Sequence, residues 1–189
     1  MPTDLERDGF AIIPDVIGAA AAAALTVALE QEVKSGSASA SRRGDAVYAV
    51  RNVLSVSETA RNIARSAAIR GLVEPILGTD CVAVRGILFD KTPGANWNVV
   101  WHQDLSLAVR ERHDIAGWGP WSVKAGVVHV QPPAEVQEQM LTVRLHLDHC
   151  GPENGPLRVL PGTHKRGRVH QEEIAGLRRQ APEKICPVP

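Results

Sequence analysis

The chain has 189 residues, 44% of them hydrophobic, and its 21 basic and 21 acidic residues give a formal net charge of zero. This length and apolar content suit one domain with its own core, and the balanced charge argues against a nucleic-acid-binding protein. The three cysteines are odd in number and widely spaced, so they predict neither a disulfide framework nor a Cys-x-x-Cys site, and we expect a cytoplasmic protein. No stretch reaches the ~20 apolar residues of a membrane span, and the acidic N-terminus does not resemble a signal peptide.

The first 80 residues are predicted to be mainly helical. A short apolar run predicts a strand at 10–13, and an Ala-rich stretch with leucines spaced by four predicts a helix at 19–34. A loop of small and basic residues is expected at 35–44. A helix is predicted over 55–70, because its first four residues match a Ser-x-x-Glu capping box, and a further helical piece ends near Gly78.

After residue 80 the pattern changes to short strands. They are predicted at 81–89, at the start of 99–109, and at 127–130, 141–148 and 157–160. The Asn154-Gly155 dipeptide predicts a hairpin that joins the last two strands. Helices followed by short strands predict an α+β fold in one domain, 1–189, with a mainly helical part at 1–80 and a β sandwich or barrel at 81–189.

The segment 141–148 alternates strictly between apolar and polar residues. Its polar row consists of Thr142, Arg144, His146 and Asp148. Two interpretations stay open for this row. It is either the solvent-facing side of a strand or the lining of a ligand cavity inside a barrel, and the combination of Arg, His and Asp leans toward the cavity.

The stretch Trp101-His102-Gln103-Asp104 carries the clearest chemistry. On a strand, side chains two residues apart project to the same face, so His102 and Asp104 are predicted to converge. One imidazole and one carboxylate make up two-thirds of the facial triad that holds non-heme Fe(II). The pattern is short enough to occur by chance, as its second copy at His146 and Asp148 illustrates, and the alternative is a histidine with a structural role.

Three passages together resemble the phytanoyl-CoA dioxygenase family of Fe(II)- and 2-oxoglutarate-dependent oxygenases. They are Asp8-Gly9-Phe10-Ala11-Ile12-Ile13-Pro14-Asp15, Trp101-His102-Gln103-Asp104, and Glu153-Asn154-Gly155-Pro156-Leu157-Arg158-Val159-Leu160-Pro161-Gly162-Thr163-His164-Lys165. The last passage is long and specific, and the three occur in the family's order over nearly the whole chain. His164 lies inside the matched passage, and we interpret it as a turn residue and not as a ligand.

The resemblance implies a double-stranded β-helix, or jelly-roll, core that carries the N-terminal helices. It implies that His102 and Asp104 are iron ligands, that 2-oxoglutarate and O₂ are co-substrates, and that a small organic molecule is hydroxylated while 2-oxoglutarate becomes succinate. In such enzymes the cofactor supplies the oxidative chemistry and the protein orients the reactants.

The chain departs from the family pattern after the third passage. The family's distal histidine and the arginine that follows it have no matching position, because the only later histidine, His170, lies among charged residues. Three interpretations stay open: a fragment with an incomplete jelly roll, which we favour, a short form that has lost iron chemistry, or a rebuilt site. In a rebuilt site His146 is the candidate third ligand, and Arg144 or Lys91 would bind the carboxylate of 2-oxoglutarate.

The sequence therefore predicts a dioxygenase acting on a small-molecule substrate, without nucleic acid or membrane as partners. The alternative is a non-catalytic jelly-roll protein that binds a small molecule or a partner chain. An incomplete sheet would also expose an open edge, through which we expect self-association.

Overall fold

The structure is a computed structural model that describes residues 3–35, 40–43, 46–90 and 99–188. In chain order its elements are α1 (Thr3–Asp8), α2 (Ala19–Lys34), β1 (Ala40–Arg43), β2 (Ala46–Arg51), α3 (Val53–Val56), α4 (Glu58–Arg65), α5 (Ala67–Leu77), β3 (Ile87–Phe89), β4 (Leu107–Val109), β5 (Trp121–Lys124), β6 (Val127–Val130), α6 (Ala134–Gln137), β7 (Leu157–Val159), α7 (Gln171–Gln180) and β8 (Lys184–Cys186). Two short 3-10 helices, Pro152–Asn154 and Thr163–Arg166, flank β7. Helices together with antiparallel sheets confirm the predicted α+β class.

The chain divides into two compact units. The first contains residues 1–16, 101–104 and 142–189, and the second contains residues 17–100 and 105–141. No helix among the described residues is long and apolar enough to cross a membrane.

Two helices of the second unit, α4 and α5, begin at a serine that caps them. The predicted helix at 19–34 is confirmed as α2, which buries Leu25 and Leu29. The single helix predicted over 55–70 is wrong, since residues 53–56 form α3 and Ser66 separates α4 from α5. The capping signal was placed two residues too early, since it is Ser57 that accepts the Ala60 N–H and opens α4. A side-chain oxygen in this position satisfies one of the free N–H groups of the first helical turn. The predicted helix end near Gly78 is also confirmed.

The first sheet of the second unit has the order β1-β2-β3. Its central strand β2 buries Ala49 and Val50 completely, so it forms part of the core with the apolar side of α2. Most of the described residues in 1–80 lie in helices, as expected, but the expected loop at 35–44 is wrong for residues 40–43, which form β1. Strand pairing between β1 and β2 overrides the weak local preference of a stretch rich in Ser and Arg.

The second sheet has the order β4-β6-β5, and its His129 is the most deeply buried polar residue among the described residues of this unit. The strand predicted at 127–130 is confirmed as β6, and its register places His129 opposite Ala108 and Ser122. His129 is only 1% exposed, and its Nδ1 lies 2.9 Å from the carbonyl oxygen of Val127. Burial lowers its pKa, and the nearby cations Arg85, Lys124 and Arg51 lower that pKa further, so the ring is neutral inside the fold.

The first unit contains an antiparallel ribbon of β7 and β8. The strand predicted at 157–160 is confirmed as β7, but its partner is β8, with Leu157 opposite Cys186. The predicted hairpin with 141–148 is therefore wrong, since residues 152–154 form a 3-10 helix. Leu177 of α7 and Cys186 of β8 are buried, and burial raises the pKa of the Cys186 thiol.

Three predicted strands fail in the same way. Residues 10–13 and 141–148 form no strand, and the segment 99–109 becomes a strand only at Leu107. The prediction at 81–89 is right only for its last three residues, which form β3. Alternating polarity shows which side chains share a face, but a strand also needs a neighbouring strand to accept and donate its backbone hydrogen bonds. Residues 10–13, 99–106 and 141–148 belong to none of the sheets in the described part of the chain.

Candidate metal centre

His102 and Asp104 lie in an irregular segment and still converge. Their predicted place on a strand is wrong, because residues 101–106 precede β4 without pairing in a sheet. The His102 Nε2 is nevertheless 3.6 Å from the nearer carboxylate oxygen of Asp104. Both side chains are exposed, at 51% for His102 and 84% for Asp104. The prediction of convergence therefore holds, although the strand that motivated it does not form.

The segment keeps the two-residue alternation of an extended chain. Trp101 and Gln103 are half-buried, whereas the residues that follow each of them, His102 and Asp104, are exposed. The Gln103 amide donates to the carbonyl of Gly167 at 2.9 Å and accepts from the N–H of Val169 at 2.7 Å. Sequence reasoning missed Gln103 as a site residue, and the only available signal was its position between the two predicted ligands.

His146 and Arg144 belong to the same unit as the pair, but His146 does not form a metal-binding group with it. Across residues 3–35, 40–43, 46–90 and 99–188, no three His, Cys, Asp or Glu side chains form a group suited to a metal ion. Burial lowers the pKa of His146, and the charge of Arg144 lowers that pKa further. His146 thus presents a neutral ring, the form that a metal ligand requires, and its role as a ligand stays a prediction.

The remaining predicted residues have simpler positions. Arg144 is exposed, and Lys91 lies outside the described residues. His164 is confirmed as a residue of a turn, in the 3-10 helix Thr163–Arg166, with its Nε2 3.2 Å from the carbonyl oxygen of Glu6. His170 immediately precedes α7, where its backbone N–H donates to Glu173.

A comparison with protein-family models decides which family these residues represent. The model described as phytanoyl-CoA dioxygenase matches residues 5–185. The chain belongs to the phytanoyl-CoA dioxygenase family. The match includes all three passages on which the resemblance rested, at 8–15, 101–104 and 153–165. No curated protein matches the sequence.

Phytanoyl-CoA dioxygenases generally depend on Fe(II) and 2-oxoglutarate, so the pair can be tested for its fit to iron. Imidazole nitrogen and carboxylate oxygen are the donors of non-heme Fe(II) sites. In a facial site two ligand bonds of about 2 Å each meet at about a right angle, which places the donor atoms about 3 Å apart. The observed 3.6 Å is somewhat wider, and a small rotation of the two exposed side chains would bring both onto one ion. The described residues therefore fit iron with two protein ligands, and a third is not assembled beside them.

Proposed function

We propose that this protein is an Fe(II)- and 2-oxoglutarate-dependent dioxygenase that hydroxylates a small organic substrate, with His102 and Asp104 as iron ligands. The observation that carries the proposal is the convergence of these two side chains inside a chain that belongs to the phytanoyl-CoA dioxygenase family. Iron with 2-oxoglutarate would supply hydroxylation of an unactivated C–H bond by O₂, with one oxygen atom going to the substrate and the other to succinate as 2-oxoglutarate loses CO₂. The antiparallel sheets of both units are consistent with a jelly-roll core, which we include in the proposal.

The chain's own residues would bind and orient the reactants. His102 would bind the metal through its Nε2, and Asp104 through a carboxylate oxygen. Arg144 is our candidate for the carboxylate of 2-oxoglutarate, because a guanidinium group binds a carboxylate through two parallel hydrogen bonds. The charge of Arg144 lowers the pKa of both His146 and Cys186, so a carboxylate bound there would lie near a neutral imidazole whose ring N–H can donate a hydrogen bond to it.

The test of this proposal is metal binding by matched variants. Anaerobic calorimetry with Fe(II), or with Mn(II) as a redox-stable probe, should give one site per chain. His102→Ala and Asp104→Ala should each abolish it, because a single remaining ligand cannot hold the ion. With only two protein ligands, we expect the wild-type chain to lose iron on desalting.

The chain offers close controls for both substitutions. His113 lies 3.2 Å from Glu111, two residues away, and Asp114 is exposed to the same 84% as Asp104. His113 and Glu111 thus form a second exposed histidine–carboxylate pair, and what separates the two pairs is that only Trp101-His102-Gln103-Asp104 resembles the family's metal motif. His113→Ala and Asp114→Ala remove the same groups outside that motif, and binding should persist in both. Equal loss of binding in the control variants would contradict the assignment of His102 and Asp104.

A second candidate function follows from the missing third ligand. A group of three metal-binding side chains is absent from the described ranges, which favours a non-catalytic protein that binds a small molecule or a partner chain. Release of succinate from 2-oxoglutarate separates the two functions. Turnover that depends on Asp104 but not on Asp114 supports the dioxygenase, and absence of both iron binding and turnover supports the non-catalytic protein.

A further inference from the structure

The segment that carries His102 and Asp104 has no sheet pairing to fix its shape. The nearest strand, β4, begins three residues after Asp104, at Leu107. Backbone groups outside a sheet or helix must find other partners, and side-chain amides are suited to this because they both donate and accept. The contacts of the residues between and beside the two ligands therefore decide how well the pair is held.

Gln103 makes two hydrogen bonds to one short stretch of backbone. Its Nε2 donates to Gly167 at 2.9 Å, and its Oε1 accepts from Val169 at 2.7 Å. Both distances lie in the range of good hydrogen bonds. A side chain that bonds the carbonyl of one residue and the N–H of the residue two further on imitates a neighbouring strand, so Gln103 replaces the sheet pairing that the segment lacks.

The backbone that Gln103 bonds is itself fixed at both ends. Gly167 ends the 3-10 helix Thr163–Arg166. Val169 is followed by His170, whose N–H donates to the Glu173 carboxylate at 2.8 Å in the first turn of α7. A bond to a fixed backbone restrains the side chain that makes it more than a bond to a free loop would.

A second anchor lies on the other side of His102. The Arg178 guanidinium of α7 lies 5.2 Å from the centre of the Trp101 ring, within the range of a cation–π interaction. Arg178 also forms an ion pair with Glu183 at 3.6 Å, and Glu183 pairs with Arg158 at 2.9 Å. His102 is thus flanked by two residues, Trp101 and Gln103, that are both attached to the stretch 167–178.

We propose that Gln103 is a positioning residue that sets the spacing of His102 and Asp104 for metal binding, with Trp101 and Arg178 as the second point of attachment. The inference rests on the proposed function for its metal, but the restraint on the segment exists without metal. Gln103 itself contacts neither iron nor substrate in this proposal and acts only through its two neighbours.

The test compares Gln103→Met with Ser57→Ala. Methionine keeps the length of the side chain and removes both hydrogen bonds. Ser57→Ala removes the cap of α4, far along the chain from the pair, and serves as a control for lost stability, which urea unfolding measures in both variants. Hydrogen exchange of the metal-free proteins, Mn(II) affinity and the visible spectrum of bound Co(II) are then measured.

We expect Gln103→Met to speed exchange at 101–105 and 167–170, to weaken Mn(II) binding roughly 10–100-fold, and to change the Co(II) spectrum, since lost outer contacts of metal ligands have effects of this size. Ser57→Ala should change none of the three. Exchange or Mn(II) affinity in Gln103→Met no different from that in Ser57→Ala would overturn the proposal.

Two other results, absence of Mn(II) binding by the wild-type chain and failure of Gln103→Met to fold, have their own interpretation. If the wild-type chain binds no Mn(II), the proposed function fails, and the exchange comparison alone decides whether Gln103 holds the segment. If Gln103→Met does not fold, Arg178→Gln on the half-exposed face of α7 takes its place. That variant should weaken Mn(II) binding by a smaller factor in the same direction, and unchanged affinity would overturn the proposal.

Discussion

Gly9 is the position where the smallest change in sequence should have a large effect. Its φ angle is +84°, in the left-handed region, and a Cβ added there would lie 2.6 Å from Cγ and 2.9 Å from Cβ of His164. Carbon atoms in contact are normally about 3.5–4.0 Å apart. The contact with the Cβ of His164 is not relieved by a rotamer change, so backbone must move in Gly9→Ala.

The cost of Gly9→Ala has two parts. A non-glycine residue in the left-handed region costs about 1–2 kcal/mol, and overpacking a filled position costs about 1–3 kcal/mol. We therefore expect the free energy of unfolding to fall by about 2–5 kcal/mol, if the two parts add. Displacement of the His164 ring would also weaken the hydrogen bond between its Nε2 and the carbonyl oxygen of Glu6.

Gly155→Ala separates the two parts. Gly155 lies in the left-handed region with φ +64° and ψ +54°, but nothing lies within 4 Å of its added Cβ, so it should lose only the backbone part. Urea unfolding followed by tryptophan fluorescence measures both variants, and Gly9→Ala in a His164→Ala background should recover about 1–2 kcal/mol of coupling. Equal destabilisation by Gly9→Ala and Gly155→Ala would refute the steric argument.

Other predictions concern pH, core packing and capping. Burial lowers the pKa of His129 below its ordinary value of about 6.5. The fold therefore favours the neutral ring, whose contribution to stability is complete above about pH 6.5 and is lost as the pH falls below that value. His129→Asn should thus unfold with a weaker pH dependence than the wild type between about pH 7.5 and pH 5.5 in urea titrations. Val50→Ala, at a fully buried position, should cost about 2 kcal/mol, whereas Val123→Ala, at a position 69% exposed, should cost less than about 0.5 kcal/mol; equal melting temperatures would contradict this. Ser57→Ala should lose about 1 kcal/mol, and a far-ultraviolet melting curve identical to that of the wild type would argue against the cap.

Local signals in the sequence predicted what local interactions determine. The helix at 19–34 needs only good helix formers and an apolar stripe, and β6 needs only β-branched residues before a pair of prolines. The strands at 10–13 and 141–148 had the right pattern but depended on a partner, which periodicity cannot supply. Strand β8, which pairs with β7 from 27 residues away, was missed for the same reason.

The sequence predicted the two proposed metal ligands, but it did not predict the residues that support them. Spacing alone brought His102 and Asp104 together, because side chains two residues apart in any extended segment project to the same side. The support from Gln103 could not be predicted, since its partners at Gly167 and Val169 are more than 60 residues away. The burial of His129 likewise depends on sheet register and on neighbours distant in sequence.

The β7–β8 ribbon also turns Cys186 into a natural reporter. The thiol is buried opposite Leu157 and its pKa is raised, so alkylating reagents such as iodoacetamide, which need an exposed thiolate, will react with it slowly while the ribbon is closed. Cys81 and Cys150 are half-buried and should be modified first. The delayed labelling of Cys186, followed by mass spectrometry, therefore measures how often the C-terminal ribbon opens, without the introduction of any probe into the chain.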